Sequence, residues 1–592
     1  MTALEEEKSS AEQHEYHGLQ LTLTQTQTTD EEIDSRAIGG DSAAALPKNY
    51  FRSSSFLGTM LGFGLGYQAT YIFFVMQSIL LYPYISPAMG NPPNIVWVTL
   101  SSIVAQTAIF PVVGRLSDIF GRRYFFLCGN ALSVVGNLIC SRAVKSEMLI
   151  AGQTLAGLAT CCQQTCTSAL PELVPNKHRF IAVSFLWAWL FPLMVFIPPV
   201  GIALCSNINE GWRWIYYLPA IMAGLAFILL FFFYHPPDFR LLHRNQTKWQ
   251  ALARIDWVGL GIYLGSIVCF LLGISWGGQQ YPWGSPRVIA TICVGPVGFA
   301  SFLLWGKFVP AEGRLIPFYL FKNRDYVAFA ITGAVGSMIF YALNVVYGQE
   351  TTNLFGASQR KSGWYSLAIT AGAPAGQLLG GALTKPLGHT RLQLIATCVT
   401  FTSLIGGMAG VTRNTPAMSV AFTTISAIMI GYMEVVSQVG APMVAKDKDI
   451  GVAYAVVAAF RTLMSALATS IYVTILQNQL TQNVPKYVVP AAVQAGLPKE
   501  SVPNVLQAIA SGVESNLEAV PGVDAAVLVA VGSAVKTAYE VTFKVIFLVS
   551  IVFGAISIAA ACTARDLDPH MTSSISRRLQ HVPVKVAPSQ EE

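Results

Sequence analysis

Long apolar segments separated by short polar loops are the feature that most constrains how this chain can fold. A helix of about twenty apolar residues is long enough to cross the ~30 Å hydrocarbon core of a bilayer. The 592-residue chain is 53% hydrophobic and only 11% charged, whereas soluble domains carry about 25% charged residues. We therefore predict an all-α membrane protein. Fourteen windows qualify as transmembrane helices: residues 56–80, 95–113, 124–140, 148–170, 180–204, 213–234, 257–276, 287–306, 326–347, 364–383, 392–411, 417–441, 452–475 and 541–562.

The loops between these windows differ in charge, and the difference predicts the orientation of the chain. Lysine and arginine are enriched in cytoplasmic loops of membrane proteins. The loops that follow even-numbered windows carry seventeen of them, and the short loops on the other side carry seven. We therefore expect both termini in the cytoplasm and the protein in the cell membrane, with a vacuolar or vesicle membrane as the alternative. The net charge of +6 lies in loops and indicates no nucleic-acid partner.

A ten-residue polar loop, Gly114–Arg123, joins the second and third windows. Its sequence GRLSDIFGRR follows the pattern G-x-L-S-D-x-x-G-R-R, and a related stretch, GALTKPLGHTR at residues 381–391, lies between the tenth and eleventh windows. The pattern resembles the signature loop of the major facilitator superfamily, and its second copy is typical of a transporter built from two duplicated halves. The resemblance implies that this loop acts as a conformational gate. The gate residues are Gly114, Arg115, Asp118, Gly121, Arg122 and Arg123.

The position of the two copies predicts the arrangement of the helices. The first copy follows the second window and the second follows the tenth, so two extra helices lie between two six-helix halves. This pattern is similar to the fourteen-span drug–proton antiporter branch of the superfamily. Three stretches, at residues 171–175, 495–523 and 566–579, are similar to the fungal trichothecene efflux pump family, which also includes siderophore-iron transporters.

The chain is predicted to divide into five parts. The first fifty residues hold ten acidic and three basic residues and too few apolar ones to order themselves. The parts are a disordered cytoplasmic tail (1–52), an N-terminal half (53–234), loops with extra helices seven and eight (235–325), a C-terminal half (326–563) that includes a long extracellular loop (477–540), and a cytoplasmic tail (564–592). In the long loop, apolar residues at helical spacing predict short amphipathic helices at 505–513 and 523–538.

The resemblance implies a monomeric secondary transporter that works by alternating access. It would export an amphipathic small molecule (a toxin, drug or secondary metabolite) in exchange for protons. Uptake of a ferric siderophore and a transporter-like sensor are the alternatives. We expect no enzyme activity, cofactor or metal site. The partners are then the small-molecule substrate, protons and the lipid bilayer. The G-x-S-x-G pattern at 273–277 closes a membrane helix, and a nucleophile elbow needs a strand–turn–helix instead.

The substrate cavity is expected between the halves, on the first and fourth helices of each half, as the resemblance implies. Polar residues in apolar helices are unfavourable unless they face a cavity or each other. On these four helices the candidate cavity residues are Gln68, Tyr71, Gln153, Gln164, Asn344, Tyr347 and Gln438.

Two charges, Glu434 and Arg461, lie inside predicted spans and are the candidates for proton coupling. If they face each other, they form a structural ion pair. If Glu434 faces the cavity instead, it can exchange a proton and replace the acid that is missing from the first helix. We favour the cavity, because Gln438 lies four residues from Glu434 and shares its helix face.

Overall fold

The structure is a computed structural model that describes residues 46, 49–90, 92, 94–237, 239–242, 247–277, 280–310, 313–511 and 520–580. Within these ranges the chain is helical, apart from loops and isolated bridges such as that between Gly277 and Tyr281. The predicted all-α fold class is confirmed. Most of the predicted N-terminal tail, residues 1–45, lies outside the described residues.

Fourteen helices of at least sixteen residues follow one another in the described part of the chain. We number them α1 (Ser54–Leu80), α2 (Val96–Phe120), α3 (Arg122–Ser141), α4 (Ser146–Gln164), α5 (Arg179–Asn207), α6 (Trp214–Phe233), α7 (Trp257–Trp276), α8 (Pro286–Phe308), α9 (Arg324–Gln349), α10 (Gly372–Leu387), α11 (Thr390–Gly407), α12 (Pro416–Met443), α13 (Ile450–Gln494) and α14 (Ala525–Thr563). Each overlaps one predicted window. Short helices connect them at Ser86–Ala88, Cys166–Glu172, Phe239–Leu242, Lys248–Ala253, Tyr319–Lys322, Gln359–Tyr365, Leu367–Thr370 and Val502–Ser511.

Helices are the expected solution because a bilayer offers no partner to backbone N–H and C=O groups, which a helix pairs internally. Among the described residues, eleven helices are long and apolar enough to cross a membrane. Large apolar side chains such as Phe232, Val297 and Leu304 are exposed on the outside of the bundle. These surfaces suit contact with lipid. The number of crossings, fourteen, stays a prediction.

The two copies of the signature loop occupy equivalent positions. At the first copy, α2 packs against α13, and a Cβ added at Gly114 would collide with Ala455. At the second, α10 packs against α5, and a Cβ added at Gly381 would collide with Ser184. Glycine at both positions therefore permits close approach to the fifth helix of the opposite six-helix set. This related packing is the structural counterpart of the sequence repeat.

The pair α7–α8 packs beside the seam between the two sets of helices. Tyr263 and Ile267 of α7 lie in an apolar cluster with Val112 of α2 and Val456 of α13. The Tyr263 hydroxyl donates to the Thr107 carbonyl of α2 over 3.4 Å. Helix α7 thus contacts both halves, whereas α8 is largely exposed.

The prediction of a long loop at 477–540 is wrong in its boundaries. Helix α13 continues to Gln494, and α14 already begins at Ala525, so the predicted helix at 523–538 is the first part of α14. The predicted helix at 505–513 is observed at Val502–Ser511. An apolar cluster joins these three elements; its buried members are Val488, Ala492, Leu497, Val505, Ala508, Val520, Val527, Val531 and Ala534. We call the described residues 476–511 and 520–540 the outer hairpin.

Both ends of the described chain meet on one side of the molecule, which we call the terminal side. Residues 564–580 lie across this side, and we call them the C-terminal strap. Tyr50, in the short helical turn Tyr50–Arg52, is buried, and its hydroxyl accepts a hydrogen bond from the Leu579 backbone over 3.1 Å. Burial raises the pKa of Tyr50 to about 12, so the hydroxyl stays protonated at physiological pH. Residues 49–52, predicted as disordered tail, are therefore part of the fold.

Candidate gate and transport site

The candidate gate contains a carboxylate of one half that contacts a helix N-terminus of the other. The Asp118 Oδ2 atom, near the end of α2, accepts a hydrogen bond from the Val452 backbone N–H over 2.8 Å. Val452 lies in the first turn of α13, where N–H groups have no helical partner and the helix dipole favours negative charge. A Cβ at Gly451 would collide with the carboxylate. Asp118 therefore ties the halves together on the terminal side.

A chain of alternating charges continues from Asp118. Arg122 Nη2 donates to Asp118 Oδ1 over 3.1 Å and to Glu172 Oε1 over 2.6 Å, and its Nη1 donates to the Ser168 hydroxyl over 2.8 Å. Arg577 of the strap contacts Glu172 with 3.5 Å between Nε and Oε2. Asp118, Arg122 and Glu172 are each at least 94% buried. Buried charges need such partners, because removing one partner leaves an unpaired charge.

A second ion pair crosses the seam beside the first. Arg115 Nη1 lies 3.0 Å from Asp449 Oδ1, and the Tyr319 hydroxyl donates to Asp449 Oδ2 over 3.0 Å. Arg123 points the other way and donates to the Phe231 carbonyl at the end of α6 over 2.7 Å. Gly121 ends α2 with a φ of 90°, a conformation that glycine adopts without strain. Every residue of the predicted gate thus has a defined position in the closed terminal side.

The second copy of the loop does not reproduce these charges. Lys385 replaces the aspartate and lies near His178, which precedes α5. A lysine cannot cap a helix N-terminus, because the dipole there repels positive charge. The strap occupies this region instead, and the Ser576 hydroxyl accepts from Arg179 over 2.7 Å and donates to Asp447 over 3.3 Å.

The strap bridges both halves along its length. Its backbone pairs with the loop before α5, through Asn176 N–H to the Ser574 carbonyl over 3.0 Å and Lys177 N–H to the Thr572 carbonyl over 2.9 Å. Toward α11, Asp566 accepts from the Arg391 backbone over 2.9 Å. Ile575 and Leu579 are buried in the main apolar cluster. The strap therefore adds to the closure of the terminal side.

A buried polar network joins four helices in the C-terminal half. Arg461 Nη2 donates to Glu434 Oε1 over 2.6 Å, and Gln377 donates to Glu434 Oε2 over 2.8 Å. The Ser337 hydroxyl donates to Glu434 over 2.7 Å and accepts from Arg461 Nε over 2.7 Å. Our preference for a cavity-facing Glu434 without a counter-charge is wrong in this structure. Both carboxylate oxygens are engaged, and the alternative, an ion pair between Glu434 and Arg461, is observed.

Aromatic side chains of the N-terminal half face this network. Tyr67, Tyr71 and Trp187 form a cluster of edge-to-face rings with centroids 5.1 to 5.3 Å apart. Tyr71 lies close enough to Glu434 and Arg461 to interact with both electrostatically. The Gln68 amide donates to the Trp189 carbonyl over 3.1 Å. Aromatic rings on one wall and a polar network on the other make an interface suited to an amphipathic ligand.

The remaining predicted cavity residues lie in different surroundings. Gln153 is fully buried within the first six helices, beside Cys140 and Tyr216. Gln164 is half-buried at the end of α4, and Asn344 is exposed and donates to the Phe340 carbonyl. Tyr347 is buried near Ser419 and Glu350. Gln438 is buried one turn from Glu434. The structure thus brings only Gln68, Tyr71 and Gln438 to the neighbourhood of the central network.

Sequence reasoning missed five residues that complete these networks: Glu172, Ser337, Gln377, Asp449 and Arg577. Each lies far along the chain from its charged partner, so spacing on one helix could not reveal it. The signal that could have pointed to Glu172 is an acid inside an apolar stretch that needs a counter-charge. In the described part of the chain, no cluster of histidine, cysteine or acidic residues could hold a metal ion.

Comparisons with known proteins agree with this architecture. The family described as "Fungal trichothecene efflux pump" matches residues 15–585. The trichothecene efflux pump TRI12 of Fusarium sporotrichioides is 28% identical, with 93% of this chain and 92% of that protein covered. The MFS-type transporter prx5 of Penicillium rubens is 29% identical over 83% of this chain and 87% of that protein. Among solved structures, a bacterial homologue of the lysosomal transporter Spinster, inward-facing and unoccupied, has a TM-score of 0.50 at 15% identity, covering 85% of this chain and 96% of that one.

The gate contacts generate a first prediction. We expect Asp118→Asn to lower transport at least roughly tenfold, because a buried hydrogen bond to a charged group contributes ~1.5–3 kcal/mol. In Asp118→Asn, pulsed electron paramagnetic resonance between spin labels at the exposed positions 124 and 392, on the terminal ends of α3 and α11, should report a longer distance than in the wild type. Glu210→Gln, which removes a carboxylate from an exposed ion pair with Arg213, is the control. Wild-type flux in Asp118→Asn at equal surface level contradicts the role.

The strap generates a second prediction. Ile575→Asp places a charge in the main apolar cluster, so the strap should detach and the distance between the same spin labels should increase. His570→Asp adds the same charge at an exposed strap position and serves as the control. If trypsin cleaves Ile575→Asp at Arg577 while the distance between the labels is unchanged, the strap has detached but the terminal side remains closed. That result contradicts a stabilising role of the strap.

Proposed function

The chain belongs to the fungal trichothecene efflux pump family of the major facilitator superfamily, and on that premise we propose that it exports an amphipathic secondary metabolite by alternating access. The observation that carries the proposal is the central interface, where the Tyr67–Tyr71–Trp187 ring cluster faces the Glu434–Arg461 network. Rings bind the apolar part of such a molecule, and Gln68 and Gln438 offer polar groups near it. A trichothecene, the compound class in the relatives' names, is the first substrate to test.

Alternating access requires that one side closes while the other opens. The Asp118–Val452 hydrogen bond, the Arg115–Asp449 pair and the strap close the terminal side. We place this side in the cytoplasm and the protein in the cell membrane, since the basic loops lie there. The state described is then one in which the site cannot release substrate to the cytoplasm. The protein acts as a monomer, because the site lies within one chain.

Protons are the energy source that fits an exporter without a nucleotide-binding motif. The Glu434–Arg461 pair serves the site chiefly as structure, because the pair fixes α9, α10, α12 and α13 around the substrate. Among the relatives, the names that specify a direction describe efflux pumps, and this supports export over siderophore uptake.

The function is tested in sealed vesicles that contain the purified protein. Vesicles with an imposed pH gradient should accumulate a labelled trichothecene, and Trp187→Ala should reduce accumulation roughly tenfold, because buried aromatic residues dominate binding. Trp249→Ala, an exposed tryptophan outside the site, is the control. Absence of trichothecene transport, with iron-dependent uptake of a ferric siderophore, refutes export and supports the alternative.

The network generates a separate prediction. Glu434→Gln leaves Arg461 buried with no carboxylate partner, which destabilises a protein by ~3–5 kcal/mol. We expect a lower thermal midpoint and less folded protein, partly restored in Glu434→Gln/Arg461→Gln. Normal folding of Glu434→Gln with loss of gradient-driven accumulation alone makes Glu434 the proton-coupling residue instead.

A further inference from the structure

A second acidic residue lies inside the C-terminal half, in surroundings opposite to those of Glu434. Glu350 begins a π-helical turn, Glu350–Leu354, directly after α9 and at the end of that helix away from the terminal side. Its side chain is 0% exposed. Such turns are frequent at functional sites.

Glu350 has one hydrogen-bond partner where Glu434 has three. The Ser419 hydroxyl, near the start of α12, donates to Glu350 Oε1 over 2.8 Å. The other oxygen, Oε2, is buried and has no partner among the described residues. No described lysine, arginine or histidine forms an ion pair with it, in contrast to Glu434.

The groups around Glu350 do not supply a positive charge. Tyr347, one turn earlier, lies near both Ser419 and Glu350 and has a buried hydroxyl without a described partner. From the helix Gln359–Tyr365, Tyr365 approaches Tyr347, and Ser362 bonds to Thr351. On the neighbouring α14, Lys536 lies beside Gly356, and Ser533 accepts from Arg413. Neither of these cations is paired with Glu350.

An ionised carboxylate that is fully buried without a counter-charge is so unfavourable that the group takes up a proton instead. The terminal side is closed in this state, and Glu350 lies toward the other end of its helix. We propose that Glu350 is a proton-binding site reached from the side opposite the termini, and that its outer packing closes only around the protonated carboxyl. The inference rests on the proposed export function and adds a dependence on the acidity of the external side.

The protonation state is tested directly by infrared spectroscopy of the purified full-length protein at neutral pH. We expect the carbonyl band of a neutral carboxylic acid in the wild type and its loss in Glu350→Gln. Glu500→Gln, which removes an exposed acid of the outer hairpin, should keep the band. If the spectrum of Glu350→Gln keeps the acid band of the wild type, Glu350 is not the protonated group and the proposal is refuted. This test does not depend on any substrate.

The coupling is tested in the same vesicles by exchange of labelled trichothecene without a gradient. As pH rises, exchange in the wild type should fall about tenfold per unit beyond a midpoint, the slope of a one-proton site. Glu350→Gln, permanently neutral and of similar size, should exchange at a rate independent of pH. A variant that keeps the wild-type slope refutes the proposal. Absence of trichothecene exchange by the wild type with an intact infrared band refutes the proposed substrate instead.

Discussion

The hydrogen bond between the Asp118 carboxylate and the Val452 backbone is the contact on which the observed state depends. It satisfies a first-turn N–H group of α13 with a negative charge from α2, so one interaction caps a helix and joins two halves. Arg122 then neutralises this almost completely buried carboxylate, and Arg122 and Arg577 together neutralise the neighbouring Glu172. Closure of the terminal side therefore depends on electrostatic interactions as well as on packing. Glycine at 114 and 451 is what lets the two helices come close enough for it.

The hydrogen-bond partners of the two buried acids of the C-terminal half distinguish an acid that stabilises the structure from one that can bind a proton. Glu434 lies among three donors, which hold four helices in fixed relation and leave it little freedom. Glu350 lies at the other extreme, with one donor and an unpartnered oxygen. A transporter needs both kinds of residue. The first kind keeps the site in shape, and the second makes the equilibrium between states depend on an ion.

The sequence allowed the helices and the position of the Gly114–Arg123 loop between α2 and α3 to be predicted, because hydropathy and the glycine-rich loop are local signals. Each of the fourteen windows overlaps one of the helices α1–α14. Local signals cannot reveal pairs of residues across the bundle. For this reason the sequence does not decide whether Glu434 contacts Arg461, and it does not identify Glu172 as the partner of Arg122. Gln153 lies on a helix that was predicted to line the cavity, but neighbouring helices decide which face is buried. The ends of α13 and α14 were misplaced because packing within the outer hairpin extends both helices beyond their apolar windows.

The length of α13 connects two regions that otherwise have nothing in common. Its first turn receives Asp118 at the gate, and its last turns form one arm of the outer hairpin. At ~1.5 Å per residue, 45 residues span on the order of 65 Å, about twice the thickness of the hydrocarbon core. A small tilt of α13 about its contact with Asp118 would therefore displace the far end of the helix the most. The position of the outer hairpin and the Asp118 contact at the opposite end are therefore mechanically linked through a single helix.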